Sequence, residues 1–188
     1  MTKVSDYIAH FLAERAGVRH VFMVTGGGAM HLNDSLGREP GLRYVCTHHE
    51  QAAAIAAEGY ARAGGGIGAV CVTSGPGGTN ALTGVLGQWL DSIPALYLSG
   101  QVRTDMRVAT TGLPLRQLGD QEADIVAMVR PICKYAVTVT DPRSIGQHLE
   151  RALALAHGGR PGPVWLDIPL DVRGAQVDEN TLYPCDPA

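Results

Sequence analysis

Between residues 20 and 169 the chain alternates short, nearly unbroken apolar runs with longer stretches of helical periodicity, and that alternation limits the folds open to it. The runs are HVFMVT (20–25), RYVCT (43–47), GAVCVT (68–73), PALYLSG (94–100), CKYAVTV (133–139) and PVWLDIP (163–169). A strand wetted on one face alternates polar and apolar residues. Most of these runs do not, so they predict strands covered on both faces. Helices are expected between them. Val4, Ile8, Phe11 and Leu12 form one apolar stripe, ended by Gly17. Further helices are predicted over 29–36, over 50–63 with Gly64, Gly65 and Gly66 as the stop, through an apolar segment to Leu90, around 123–128, and over 144–157. Pro142 precedes the last of these and Gly158-Gly159 follow it, as helix starts and stops require. The pattern predicts an α/β fold: a single three-layer domain over residues 1–174, with a six-stranded, mainly parallel sheet and helices on both faces. Residues 101–119 are expected to be irregular, and 175–188, polar with two prolines, to be a linker or free C-terminal tail.

Composition narrows the function classes. Hydrophobic residues make up 45% and charged residues 18% of the 188, a globular balance and not a disordered one. The net charge of −3, without a basic run, argues against nucleic acid as the main partner. No apolar run reaches the length of a membrane span and the N-terminus lacks a signal-peptide pattern, so a cytoplasmic location without membrane contact is expected. Cys46, Cys71, Cys133 and Cys185 are dispersed and form no CxxC pair, which suits neither a disulfide framework nor a zinc site. Cys46 and Cys71 lie in strand-like runs and are expected to be buried thiols.

In a parallel sheet ligands bind beyond the carboxyl ends of the strands, so the loops after Thr25, Cys46, Thr73 and Leu98 matter most. The first holds TGGGAM. His31 stands where the dinucleotide fingerprint needs its third glycine, and no GKS or GKT occurs. A close-packed turn and a ligand loop both remain open there. SGPGGTN, residues 74–80, leaves the backbone bare at Gly75, Gly77 and Gly78, with Pro76 stiffening the turn, so that a flat ligand can approach. The loop before residue 51 carries HHE. His48 and His49 cannot share a face, and the spacing is not HExxH, so no metal site is predicted. Glu50 heads a run without charge from Gln51 to Ala57. It can be an ordinary first-turn acid favoured by the helix dipole, or a working group in a dry place.

The ordered set VFMVTGGGAM, HHEQAAAIAAEGYARAGG, GAVCVTSGPGGTNALTGV, DSIPALYLSGQV and GRPGPVWLDIPLDV resembles the N-terminal, pyrimidine-binding domain of thiamine-diphosphate enzymes of the acetolactate synthase and pyruvate decarboxylase type. The likeness runs from about Val4 to Val172 and is greatest to the acetolactate synthase-like branch, whose members are 2-keto-acid decarboxylases, carboligases and modifiers of nucleotide-linked sugars. It implies that Glu50 hydrogen-bonds a ring nitrogen of the cofactor's aminopyrimidine. Protonation there lets the cofactor's own amino group, as an imine, take the thiazolium proton. A carboxyl group in an apolar cleft can exchange such a proton near neutral pH. The resemblance also implies that Gly27 and Gly28 face the cofactor, that Thr73, Pro76, Gly77 and Asn80 line or shape its pyrimidine side, and that Gln101 and Gln121 lie near a substrate channel. Gln121 and Glu122 match the end of a Phe-Gln-Glu segment, but Asp120 replaces the Phe, and TGGG stands where a Tyr-Pro-Gly-Gly type sequence is usual. These departures leave the substrate open.

A GDG motif, which in such enzymes holds the diphosphate and Mg2+, is absent: Gln121 follows Gly119-Asp120. The resemblance therefore implies a diphosphate-binding partner domain or subunit, a homo- or hetero-oligomer, thiamine diphosphate shared between the two, a 2-keto-acid substrate, and no metal on this chain. Two other readings stand beside it: a non-catalytic assembly or binding module that keeps the fold, and a nucleotide-binding domain using TGGG.

Overall fold

A computed structural model describes residues 1–184. The elements, in chain order, are β1 (Thr2–Lys3), α1 (Val4–Glu14), β2 (His20–Met23), α2 (Met30–Arg38), β3 (Arg43–Cys46), α3 (Glu50–Tyr60), β4 (Gly68–Val72), α4 (Pro76–Asn80), α5 (Leu82–Asp91), β5 (Ala95–Gln101), α6 (Ile125–Val129), β6 (Tyr135–Thr138), α7 (Ile145–His157), β7 (Pro163–Pro169), α8 (Leu170–Gly174) and β8 (Gln176–Val177). Six strands form one sheet in the order β3-β2-β4-β5-β7-β6, every pair parallel. The six-stranded α/β architecture expected from the sequence is thus the one observed.

The unbroken apolar runs divide by alternate residues between two cores. Ala69, Cys71, Leu96, Leu98, Leu166 and Ile168 join the cluster built with α1, α2 and α7. Val70, Val72, Tyr97 and Trp165 join the cluster built with α3, α5 and α6. Both faces are covered, which is why these strands are apolar without alternation apart from a few buried polar residues such as Ser99 and Asp167. The second core is anchored by Tyr97 and Trp165, both fully buried, whose rings stack with centroids 4.8 Å apart. Burying each contributes roughly 1.5–3 kcal/mol.

Strand order places the site. From β2 the chain steps outward through α2 to β3, then returns through α3 to β4 on the other side of β2. The two crossovers cover opposite faces, so the loops after β2 and β4 diverge and leave a crevice between them.

Several details differ from expectation. The segment after Thr73 is helical already at Pro76, because Gly75 turns the chain at φ 58° and Pro76 supplies a preset first helical residue. Cys71 and Cys133 are buried free thiols, but Cys46 is exposed: β3 is the edge strand, and all four of its residues face solvent. Cys185 lies outside the described residues. Of the stretch expected to be a linker or free tail, Gln176 and Val177 pair antiparallel with Lys3 and Thr2. Leu182 packs against the first core, and the Tyr183 hydroxyl donates to Asp141 at 2.7 Å. No described helix is long and apolar enough to cross a membrane.

Candidate active site

Glu50 is the first residue of α3. The helix starts there because His49, in extended conformation, caps it: its ring Nδ1 accepts the Gln51 N–H at 3.1 Å. His49 thus has a structural task. Ala53, Ala54 and Ala57 press the helix onto the second core, and Glu50 itself is only 7% exposed. One side chain reaches it. Asn80, at the end of α4, donates through Nδ2 to Glu50 Oε2 at 2.9 Å; among the described residues no donor engages Oε1.

Thr73, just past β4, is the centre about which the glycine loops close. A methyl group at Gly26, Gly28 or Gly77 would fall 2.6, 2.7 and 2.6 Å from Thr73 atoms. At Gly28 it would also meet Ser74 Oγ at 2.3 Å, and at Gly77 it would lie 3.4 Å from Glu50 Oε1. Gly26 and Gly28 are therefore required for close packing, whereas Gly27 has nothing within 4 Å of its missing Cβ and faces open space. Gly75 is constrained twice, by its φ of 58° and by the Gln121 carbonyl 2.3 Å from its Cβ position.

A cavity of about 540 Å³ opens beside Thr73. Its lining includes Gly26 to Gly28, Ser74, Gln101, Gly119 to Gln121 and Arg173. Of the residues singled out from sequence, Gly27, Gly28, Thr73, Gln101 and Gln121 meet at this cavity. Glu50, Pro76, Gly77 and Asn80 do not line it. Thr73 borders both groups, through the close approach of Gly77 on one side and of Gly28 on the other. Pro76 and Asn80 are exposed. Gln101 is 2% exposed, and Gln121 holds a left-handed φ of 56°. The Glu122 carboxylate accepts the N–H groups of Val108 at 2.7 Å and of Leu118 and Gly119 at 3.4 Å, which folds the irregular segment back on itself.

Two buried charges, Arg173 on the cavity lining and Asp167 behind Gln101, escaped the sequence reading. Arg173 is fully buried and donates to the backbone carbonyls of Gln101, Ile168 and Gly28. Burial lowers its pKa to about 10, so it stays charged at neutral pH. Asp167, 1% exposed, has its pKa raised to about 6 by burial, against the opposing bonds from Ser99 and Gln101. The signal for Asp167 was present: a lone acid within an otherwise apolar strand. Arg173 carried no such mark, since a short turn after a strand ordinarily exposes its cations.

A second cavity, of about 420 Å³, lies by Trp89, Lys134 and Arg160, at the amino ends of the strands. Its cations are engaged by helix ends, Lys134 donating to the Gly158 carbonyl and Arg160 to that of Leu90. Among the described residues no group of three or more His, Cys, Asp or Glu side chains is placed to hold a metal ion.

Comparison with known proteins bears on what this arrangement serves. Residues 2–128 match the family described as thiamine pyrophosphate enzyme, N-terminal TPP binding domain. The chain is similar to the acetolactate synthase isozyme 3 large subunit of Escherichia coli K12, with 43% identity over 83% of this chain and 26% of that protein. It is 40% identical to the acetolactate synthase large subunit of Lactococcus lactis over 95% of this chain and 29% of the relative. To the chloroplastic acetolactate synthase of Arabidopsis thaliana it is 40% identical over 91% of this chain and 24% of the relative. The chain thus spans about a quarter of the length of these curated relatives.

Proposed function

The chain belongs to the thiamine pyrophosphate enzyme family through its N-terminal TPP-binding domain, and on that premise we propose that it forms the pyrimidine-binding half of an acetolactate synthase-like active site acting on a 2-keto acid. One observation carries the reading: an acid nearly excluded from water, held at one oxygen by Asn80 and free at the other, stands 3.4 Å from the Cβ position of a bare glycine loop. An ordinary first-turn acid sits in solvent; this one does not.

The residues fit the cofactor. Gly75, Gly77 and Gly78 do not leave bare backbone for a ligand, as the sequence suggested, because their Cβ positions are taken up by Gln121, Thr73 and Ile125. What the loop offers is its closeness to Glu50, whose Oε1 has no donor among the described residues and is available to a ring nitrogen. Thiamine diphosphate, when bound, supplies the carbanion chemistry through its thiazolium carbon. Glu50 would hold and exchange a proton at the ring nitrogen; Asn80 would keep its carboxylate in one orientation; Thr73, Pro76 and Gly77 would shape the wall against the ring. Gly27 and Gly28, with Gln101 and Gln121, would bound the adjacent space where a 2-keto acid reacts.

On this reading diphosphate and Mg2+ would be held by a partner domain or subunit, since the sequence has no GDG tripeptide. The test is a calorimetric titration of thiamine diphosphate and Mg2+ into this chain mixed with a diphosphate-domain partner. The reading requires binding by the mixture well above that of the partner alone. No gain on adding this chain would instead favour a non-catalytic assembly module.

A further inference from the structure

Gln101 ends β5 at the cavity wall, yet its amide is spent entirely inside the protein. Its Oε1 accepts the Val102 N–H at 3.0 Å. Its Nε2 donates to the Ala123 carbonyl at 2.9 Å and to Asp167 Oδ2 at 3.2 Å. The assignment of O and N follows from the partners, because the reverse would set N–H against N–H and carbonyl against carbonyl.

Asp167 lies opposite Ser99 on the neighbouring strand. Besides Gln101 it accepts Ser99 Oγ at 2.6 Å and Thr138 Oγ1 at 3.3 Å, and Ser99 accepts the Trp165 indole N–H at 2.8 Å. No salt bridge to Asp167 is present among the described residues: its hydrogen-bond donors are all neutral, and the cations Arg107 and Arg173 act on it only at longer range. A buried acid without a direct ion pair is costly. What it alone offers is a side chain of this size that only accepts. The Gln101 amide has two N–H groups; for one to hold Ala123, the other needs an acceptor beneath it.

We propose that Asp167 is a positioning residue of the cleft: it orients the Gln101 amide so that Gln101 tethers Ala123, and through Ala123 holds the Gly119–Gln121 wall in place. Gln121 is pressed against Gly75 by the same arrangement, so the tether sets the distance between that wall and the glycine loop at residues 75–78. The inference rests on the proposed function only in naming the cavity as part of the cofactor and substrate site.

Amide hydrogen exchange on the full chain, without cofactor, tests it. The probes are the amides of Glu122 and Ile125, bonded to Gly119 and Ala123; the reference is α7. Asp167→Asn keeps the volume but must turn an N–H toward one of the donors. Gln101→Ala cuts the tether at its other end. Each is expected to speed exchange at Glu122 and Ile125 about tenfold relative to α7, and the double variant to exchange no faster than Gln101→Ala alone. Thr138→Val, which touches Asp167 but not Gln101, is expected to change these rates less than about twofold. Unchanged rates at Glu122 and Ile125 in either single variant, equal acceleration in α7, or additivity in the double variant would overturn the proposal. If Asp167→Asn does not fold, Gln101→Ala alone decides whether the tether exists, and an unaltered rate there is enough to reject it. Since no cofactor is present, failure here leaves the cofactor assignment untouched, and failure to bind cofactor leaves this measurement interpretable.

Discussion

The Asn80 side-chain amide donates a 2.9 Å hydrogen bond to Glu50 Oε2, so the end of α4 orients the acid that begins α3. On the proposed function, in a mixture of this chain with a diphosphate-domain partner, Asn80→Ala is expected to lower kcat/KM about tenfold, the effect of losing one orienting hydrogen bond. Asn80→Asp should be worse, because it removes the donor and sets a second carboxyl group against the first. Steady-state kinetics of the two variants checks this; equal activity for Asn80→Ala and the parent would show that Asn80 does not orient Glu50.

The glycines of the first loop divide by what surrounds them. Gly27→Ala meets open space and should change stability by less than about 0.5 kcal/mol. Gly28→Ala meets Ser74 and Thr73, and Gly100→Ala meets the Gly28 carbonyl at 1.8 Å. Each of these two should cost about 1–3 kcal/mol or more, since side chain or backbone must move. Urea unfolding of the three variants distinguishes them, and a Gly28→Ala protein as stable as Gly27→Ala would contradict the packing about Thr73.

Much of this was legible in the chain itself, for definite reasons. Runs such as GAVCV, and PVWLDIP apart from Asp167, are apolar without alternation because both faces of the sheet are covered, and that pattern can be seen without coordinates. The glycines near 26–28 and 75–78 mark the crevice loops. The role proposed for Glu50 came from likeness to a family and not from local pattern, because a first-turn acid looks the same in either setting. What remained hidden depends on long-range neighbours. The exposure of Cys46 follows from β3 being an edge, which only strand order reveals. The pairing of Thr2 with Val177 joins the two ends of the described chain, and two-residue strands carry no periodicity. Asp167 and Arg173 are polar residues whose partners lie on other strands and loops.

Asp167 gives a pH signature of definite sign. Its pKa is raised from 3.8 to about 6 in the folded protein, so between these values the folded state holds a proton that the unfolded state has lost. Its contribution to stability is therefore greatest near pH 4 and declines as pH rises through about 6, by about 3 kcal/mol in all. Urea unfolding at intervals from pH 4 to 7 should show this slope in the parent and not in Asp167→Asn, the difference between the two isolating the group. A slope shared by both proteins would assign it elsewhere.

Arg173 satisfies three backbone carbonyls from β5, β7 and the turn after β2. Arg173→Met leaves all three without this donor in a dry place and should cost about 2–4 kcal/mol. Arg173→Lys, with one compact ammonium, should recover only part of that. Denaturant unfolding of the pair checks the expectation; a Met variant within about 0.5 kcal/mol of the parent would mean that the carbonyls find other partners.

The most direct test of the central claim is deuterium exchange at the thiazolium carbon of thiamine diphosphate, followed by proton NMR in a mixture of this chain, a diphosphate-domain partner and Mg2+. Exchange in the mixture is expected to run far faster than for free cofactor, and Glu50→Gln, which keeps size but cannot pass a proton, is expected to slow it by about a hundredfold or more. Exchange by Glu50→Gln at the rate of the parent would contradict the role assigned to this acid.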